Sequence, residues 1–268
     1  MSAAGTRSQP IDREIPAEQF IPEHVFFYLI KGEMSGHCGN KMYTLKPGEY
    51  GIIRKNRLGR YNRVKENTKP EKVAIVFDEP FLRTFQEKRK TKATTFNSTD
   101  DFLHLDHNDL IPNFINSLAP YYNDRHEIDK TILDVKREEL LLILMKSQPE
   151  LAGLFFDYGI PEKIDLEKFM NLNYKFNVSI QRFAFLTGRS LSAFKRDFKQ
   201  LFGDTPNHWL VQRRLTEAHF LIQKMHKRPT EIYHDLGFED LSHFSYAFKK
   251  HFKLTPTELS AQKMHPGR

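Results

Sequence analysis

Two rhythms of apolar and polar positions run along this chain, and the change from one to the other divides it. Between residues 20 and 78 the pattern is that of short strands: 25–30 is a near-continuous apolar run, 42–45 alternates, and 73–77 is another buried-looking run. Gly39-Asn40 suits a hairpin turn, and Lys46-Pro47-Gly48-Glu49 suits a second turn leading into 50–54. Short strands at such close spacing predict a small barrel or sandwich. Helical spacing takes over at 80–90 and 112–122. The strongest helix of this half is predicted over 129–147, with Ile132, Val135, Glu139, Leu142 and Met145 among its positions. Its portion 140–145 is apolar all round, which predicts burial on several sides.

The second half carries a phrase that occurs twice. Phe194, Phe198, Lys199, Phe202 and Thr205-Pro206 return as Phe244, Phe248, Lys249, Phe252 and Thr255-Pro256, each offset by 50 residues. Aromatics at i, i+4 and i+8 form one stripe of a helix, whose burial leaves a polar face outside. The first copy places Ser192, Lys195, Arg196 and Lys199 there; the second places Ser242, Tyr246, Lys249 and Lys253. Upstream of each copy lies a shorter helical pattern, 180–187 with Phe183 and Ala184 inward and 230–236 with Ile232 inward. Gly188 and Gly237 end these patterns, since glycine accepts the positive φ of a helix stop. Ser190 and Asp240 are suited to cap the helices that follow. Helix, glycine turn, then a helix with a basic outer face is the helix-turn-helix pattern.

Between the copies, 207–224 keeps helical spacing through Trp209, Leu210, Leu215, Ala218, Leu221 and Ile222, with Pro206 at its first turn. Such a helix is a strut of roughly 27 Å, somewhat short of one B-DNA turn of ~34 Å before the width of the helix-turn-helix bodies is added. Over about 160–262 the chain resembles the DNA-binding domain of the AraC/XylS transcription regulators. Asp235-Leu236-Gly237-Phe238, His243-Phe244-Ser245, Ala247-Phe248-Lys249-Lys250 and Thr255-Pro256 carry the resemblance. It implies seven helices, two helix-turn-helix units and one connecting helix. Three positions depart from the family pattern: Tyr233 where alanine is usual, Tyr246 where a basic residue is frequent, and Lys253 where glycine is frequent.

On this reading Arg189, Ser190, Ser192, Lys195 and Arg196 are candidate DNA contacts of the first unit. Ser242, His243, Ser245 and Tyr246 are those of the second, with Lys199, Lys249 and Lys250 directed towards phosphates. The phenylalanines are core.

Charge sharpens this division. The net +7 falls wholly on residues 160–268, with 18 Lys and Arg against 11 Asp and Glu, while 1–159 balances at 23 of each. A polyanion binder carries such a footprint, so double-stranded DNA is the expected partner, with RNA polymerase a candidate second one. The longest aliphatic run, 140–145, is far too short to span a membrane, and residues 1–10 lack the apolar core of a signal peptide. A lone Cys38 leaves no internal disulfide, and a cytoplasmic location is expected.

In the first half Leu45-Lys46-Pro47-Gly48-Glu49 resembles the cupin-type sensory barrel of AraC relatives. Metal-dependent cupins carry paired histidines and a glutamate. Here His37, beside Cys38 and upstream of Glu49, stands near that place, and His24, His104 and His107 are scattered. No metal, cofactor or catalytic residue is therefore assigned. The competing reading is a metal-dependent cupin enzyme tethered to DNA. A DNA-repair regulator would want clustered cysteines, which are missing. Two basic runs, Arg54, Lys55, Arg57, Arg60 and Arg63, and 88–92, read as exposed loops or as an anion-binding rim. The effector, a small molecule or a protein, is unknown, as is the choice between activator and repressor. By the resemblance, helix 129–147 commonly carries dimerisation; it can equally serve as a cover for the barrel.

The expected fold is α+β with two domains. A cupin-like β-barrel with flanking helices occupies 1–148, 149–161 joins the domains, and an all-α domain with two helix-turn-helix units occupies 162–268.

Overall fold

A computed structural model describes residues 19–38, 41–61, 70–92, 94–98, 100–124 and 127–261. The hairpin turn expected at Gly39-Asn40 lies outside the described residues, as does Arg63. Among the described residues, contacts divide the chain into two units: one takes in 21–160, the other 161–261 together with 19–20.

The strands, all of the first unit apart from Phe20, are β1 (Phe20–Ile21), β2 (His24–Lys31), β3 (Met34–Cys38), β4 (Lys41–Leu45), β5 (Tyr50–Ile53), β6 (Arg57–Tyr61), β7 (Glu71–Phe77) and β8 (Phe102–His104). They make two four-stranded sheets, in the orders β7-β2-β5-β8 and β1-β6-β3-β4. The expected barrel is thus not closed. Its edge strands explain why: β1 and β8 are two and three residues long, too short to seam one sheet to the other. The chain passes between sheets at the Lys46–Glu49 turn, where Gly48 N–H donates to Leu29 O and Leu29 N–H to Glu49 O.

Because β2 is buried on both faces, it reads as a continuous apolar run. Phe26 and Tyr28 face the helical layer, whereas Val25, Phe27 and Leu29 face the second sheet and pack with Met34, Cys38, Tyr43, Leu45 and Ile53. The helical layer comprises α1 (Glu79–Arg89), α2 (Leu110–Ser117), α3 (Lys130–Ser147) and α4 (Leu151–Phe155). Asp78 caps α1 through Phe81 N–H and also accepts from Arg137 Nη2 at 2.7 Å, which ties α1 to α3.

Two expectations change here. Helix α3 buries Leu133, Leu140, Leu141 and Leu144, yet Val135 and Leu142 stand 61% and 39% exposed, so the helix is not covered all round. The stretch 149–161 belongs for most of its length to the first core: Leu151, Leu154, Phe155 and Phe156 are all buried in it.

The second unit contains α5 (Leu166–Asn173), α6 (Ile180–Leu186), α7 (Leu191–Phe202), α8 (Pro206–Gln223), α9 (Pro229–Ile232), α10 (Leu241–Phe252) and α11 (Pro256–Ala261). Asp165, Ser179, Ser190 and Asp240 cap α5, α6, α7 and α10 with side chains that accept from Lys168, Arg182, Ala193 and His243 N–H. Phe194, Phe198, Phe244 and Phe248 have no exposed surface. In the first half Phe198 and Phe202 pack on Trp209 of α8; in the second, Phe244 and Phe248 pack with Leu215, Ala218, Ile222 and Ile232. The connecting helix therefore shares both cores. Helix α9 is shorter than the expected 230–236, because the chain turns at Tyr233 and Phe238 N–H returns to Tyr233 O.

Candidate DNA interface

Burying the phenylalanine stripe fixes which sides of α7 and α10 face solvent. On α7 the exposed residues include Ser192, Lys195, Arg196 and Lys199, with Gln200 and Leu201 beside them at its C-terminal end. On α10 they include Ser242, His243, Tyr246, Lys249 and Lys250, followed by His251, with Ser245 half-buried and Tyr246 69% exposed. The 50-residue offset pairs the two surfaces position by position. Ser192 matches Ser242, Lys195 matches Ser245, Arg196 matches Tyr246, and Lys199 matches Lys249. The scaffolds repeat, but the chemistry they present does not.

Two of the candidate contacts are held within the protein. The Ser190 hydroxyl oxygen accepts from Ala193 N–H as the cap of α7. Arg189 does not project to the surface: its side chain is 8% exposed and donates from Nη1 to Ile164 O at 2.9 Å and Thr187 O at 2.7 Å. Its Nε donates to Asp197 Oδ2 at 3.2 Å. Arg189 thereby clamps the start of α7 to the segment before α5, a geometry that removes it from the outward-facing set. On the other side of Asp197, Arg196 Nη2 reaches Oδ1 at 3.1 Å while its own side chain stays 76% exposed. Arg189, and after it Arg196 and Lys163, hold the Asp197 carboxyl below its ordinary range. Sequence reasoning missed Asp197, which orients one outward arginine by means of an inward one.

It also missed Arg214. The residue is 8% exposed on α8, and burial alone pushes its guanidinium down to about 10. The signal was present in the pattern: Arg214 lies four residues after Leu210 and four before Ala218, on the apolar stripe of α8.

The helix ends differ as the family departures foretell. Gly203 ends α7 with φ of 70°, and Lys253, 50 residues on, ends α10 with φ of 64°. Both take the left-handed conformation, which favours glycine.

In the first unit His24 is 2% exposed, and its Nδ1 accepts from Lys55 N–H. Burial, reinforced by Lys55, Arg54 and Arg57, lowers it to about 3. Among the described residues no group of three or more His, Cys, Asp or Glu side chains is placed to hold a metal ion. No helix of the described residues is long and apolar enough to cross a membrane.

Comparison with known proteins yields two family matches. Residues 24–154 match the ExsA N-terminal regulatory domain, and residues 183–262 match a helix-turn-helix domain; together these take in nearly four-fifths of the chain. The virulence regulon transcriptional activator VirF of Yersinia enterocolitica is 26% identical over 251 residues, which is 89% of each chain. The HTH-type transcriptional regulator ExsA of Pseudomonas aeruginosa is 22% identical over 241 residues, covering 88% of this chain and 85% of ExsA. A crystal structure of ToxT from Vibrio cholerae aligns over 91% of this chain and 90% of its own at 14% identity, with a TM-score of 0.42.

Proposed function

This chain belongs to the AraC/XylS family of DNA-binding transcription regulators, and from that premise we propose that it reads one duplex with two unlike helices in successive major grooves. Helix α7 contacts the first half-site through Ser192, Lys195 and Arg196. Helix α10 contacts the second through Ser242, His243, Ser245 and Tyr246. Lys199, Lys249 and Lys250 pair with phosphates, which set register, while the base-edge contacts select sequence. Ser190 and Arg189 support the first surface from behind. Since Arg196 faces one groove and Tyr246 the other, the two half-sites differ in sequence. The observation that carries this reading is the matched pair of exposed faces on one buried phenylalanine repeat.

By analogy with VirF, the regulator acts as an activator. The first unit is regulatory and answers to an effector or a partner chain. The exposed pair Val135 and Leu142, two turns apart on α3, is the surface proposed for self-association. Its likeness to a cupin rests on the sheet pair and the Lys46–Glu49 turn, and no catalytic role is assigned to it. The test is selection of bound duplexes from a random library by the full chain. Two different enriched half-sites about one helical turn apart support the reading. A single short motif, or a palindrome of identical halves, contradicts it.

A further inference from the structure

The two halves of the DNA-binding unit are joined at a second place besides α8, and that junction is built around one buried cation. Arg214 spends three donor nitrogens on three main-chain carbonyls. Nε donates to Tyr174 O at 2.7 Å, Nη2 to Phe176 O at 2.8 Å, and Nη1 to Gly237 O at 2.9 Å. Tyr174 and Phe176 lie in the loop between α5 and α6, in the first half; Gly237 lies in the turn between α9 and α10, in the second. A guanidinium presents its donors in a fixed planar fork, so satisfying all three carbonyls permits one mutual placement of loop and turn.

Neighbouring contacts close the same seam. Lys175 Nζ donates to Glu217 Oε1 at 2.8 Å, and Asn177 Nδ2 to Glu239 Oε1 at 3.2 Å. Gly237 has φ of +83°, and a Cβ there would lie 2.7 Å from Lys175 O, so the turn approaches the loop as closely as its backbone allows.

We propose that Arg214 is a positioning residue for DNA recognition: by pinning the α9–α10 turn to the α5–α6 loop it sets the separation and angle of α7 and α10, and hence the half-site spacing the protein accepts. The inference rests on the two-groove reading. A helix alone leaves its ends free to bend and twist. Linkage through α8 lets two-site binding exceed either single affinity by roughly 10²–10⁴ when geometry permits both, and a second attachment removes the residual freedom and concentrates that gain on one spacing.

The experiment compares the full chain with Arg214→Met on three duplexes made from the selected operator. One has native spacing, one has two base pairs inserted between half-sites, and one has the second half-site scrambled. Wild type should fall on the inserted duplex to its single-half-site affinity. The variant should lose about tenfold or more on the native operator, stay within about twofold of wild type on the single half-site, and be nearly indifferent to the insertion. Equal losses by the variant on native and single-half-site DNA, or an insertion penalty as large as wild type's, would overturn the proposal. Circular dichroism and Trp209 fluorescence monitor folding. If the methionine variant does not fold, Arg214→Lys and Glu239→Ala carry the test: relaxed spacing in either supports the role, and wild-type spacing in both overturns it. A wild type indifferent to the insertion overturns the two-groove reading and this inference with it, whereas a sensitive wild type with an equally sensitive variant overturns only this inference.

Discussion

Replacing Arg196 with alanine tests the first recognition surface with little collateral damage. The guanidinium is 76% exposed and lies 3.1 Å from Asp197 Oδ1 in the free protein. An exposed pair of this kind contributes about 0–1 kcal/mol. Asp197 keeps Arg189, whose bonds to Ile164 and Thr187 are independent of Arg196, so the start of α7 stays in place. A specific arginine–base pair contributes about 1–3 kcal/mol of discrimination. Subtracting about 0.5 kcal/mol for the ion pair that Arg196 gives up on binding leaves a net loss of about 0.5–2.5 kcal/mol, or roughly 2- to 70-fold in Kd. Fluorescence anisotropy titrations at fixed salt, on the selected operator and on duplexes substituted at each base of the first half-site, measure this. The variant should bind the operator more weakly and lose its preference at one base step. Unchanged affinity with unchanged preference refutes the role, and an equal loss on every duplex refutes base reading in favour of a phosphate contact.

Lys249→Ala should weaken binding on all sequences and flatten the slope of log K against log salt by about one unit, so parallel salt titrations count against its phosphate role. Lys253→Gly should stabilise the second unit by about 0.5–1 kcal/mol, since glycine relieves a left-handed backbone that costs a non-glycine residue more than glycine's extra unfolded freedom returns. Urea unfolding followed by Trp209, the chain's single tryptophan, reads it, and an unchanged or lowered midpoint contradicts it. His24, lowered to about 3 in the fold from 6.5 in an unfolded chain, binds fewer protons folded than unfolded between those values. Its titration therefore takes nothing from stability above about pH 6.5, and stability falls as pH drops from there towards 3. His24→Asn keeps an acceptor for Lys55 N–H without titrating, so amide exchange in β2 should depend less on pH in this range; an identical pH dependence contradicts the assignment.

The DNA-binding unit was legible where local rules and tertiary structure agree. The phenylalanine spacing, the caps at Ser190 and Asp240 and the stops at Gly188 and Gly237 each state a short-range preference that the fold satisfies. What escaped depends on distant partners. A basic residue before a helix reads as surface until Ile164 O and Asp197 are seen to enclose Arg189. Arg214 broke the apolar stripe of α8, but the carbonyls that receive it lie 40, 38 and 23 residues away. Strand periodicity identified the sheets without saying whether they join, because closure turns on edge strands whose length is set by pairing. For α3, composition announced burial, and only the packing distinguished Leu141 inside from Leu142 outside.

The central claim is that α7 and α10 occupy successive major grooves of one duplex. Methylation interference at guanine N7, an atom of the major groove, addresses it most directly when the full chain is bound to its selected operator. Two clusters of guanines whose N7 methylation blocks binding, about 10 base pairs apart on one face of the helix, are the predicted result. One cluster alone, or two on opposite faces, would contradict it.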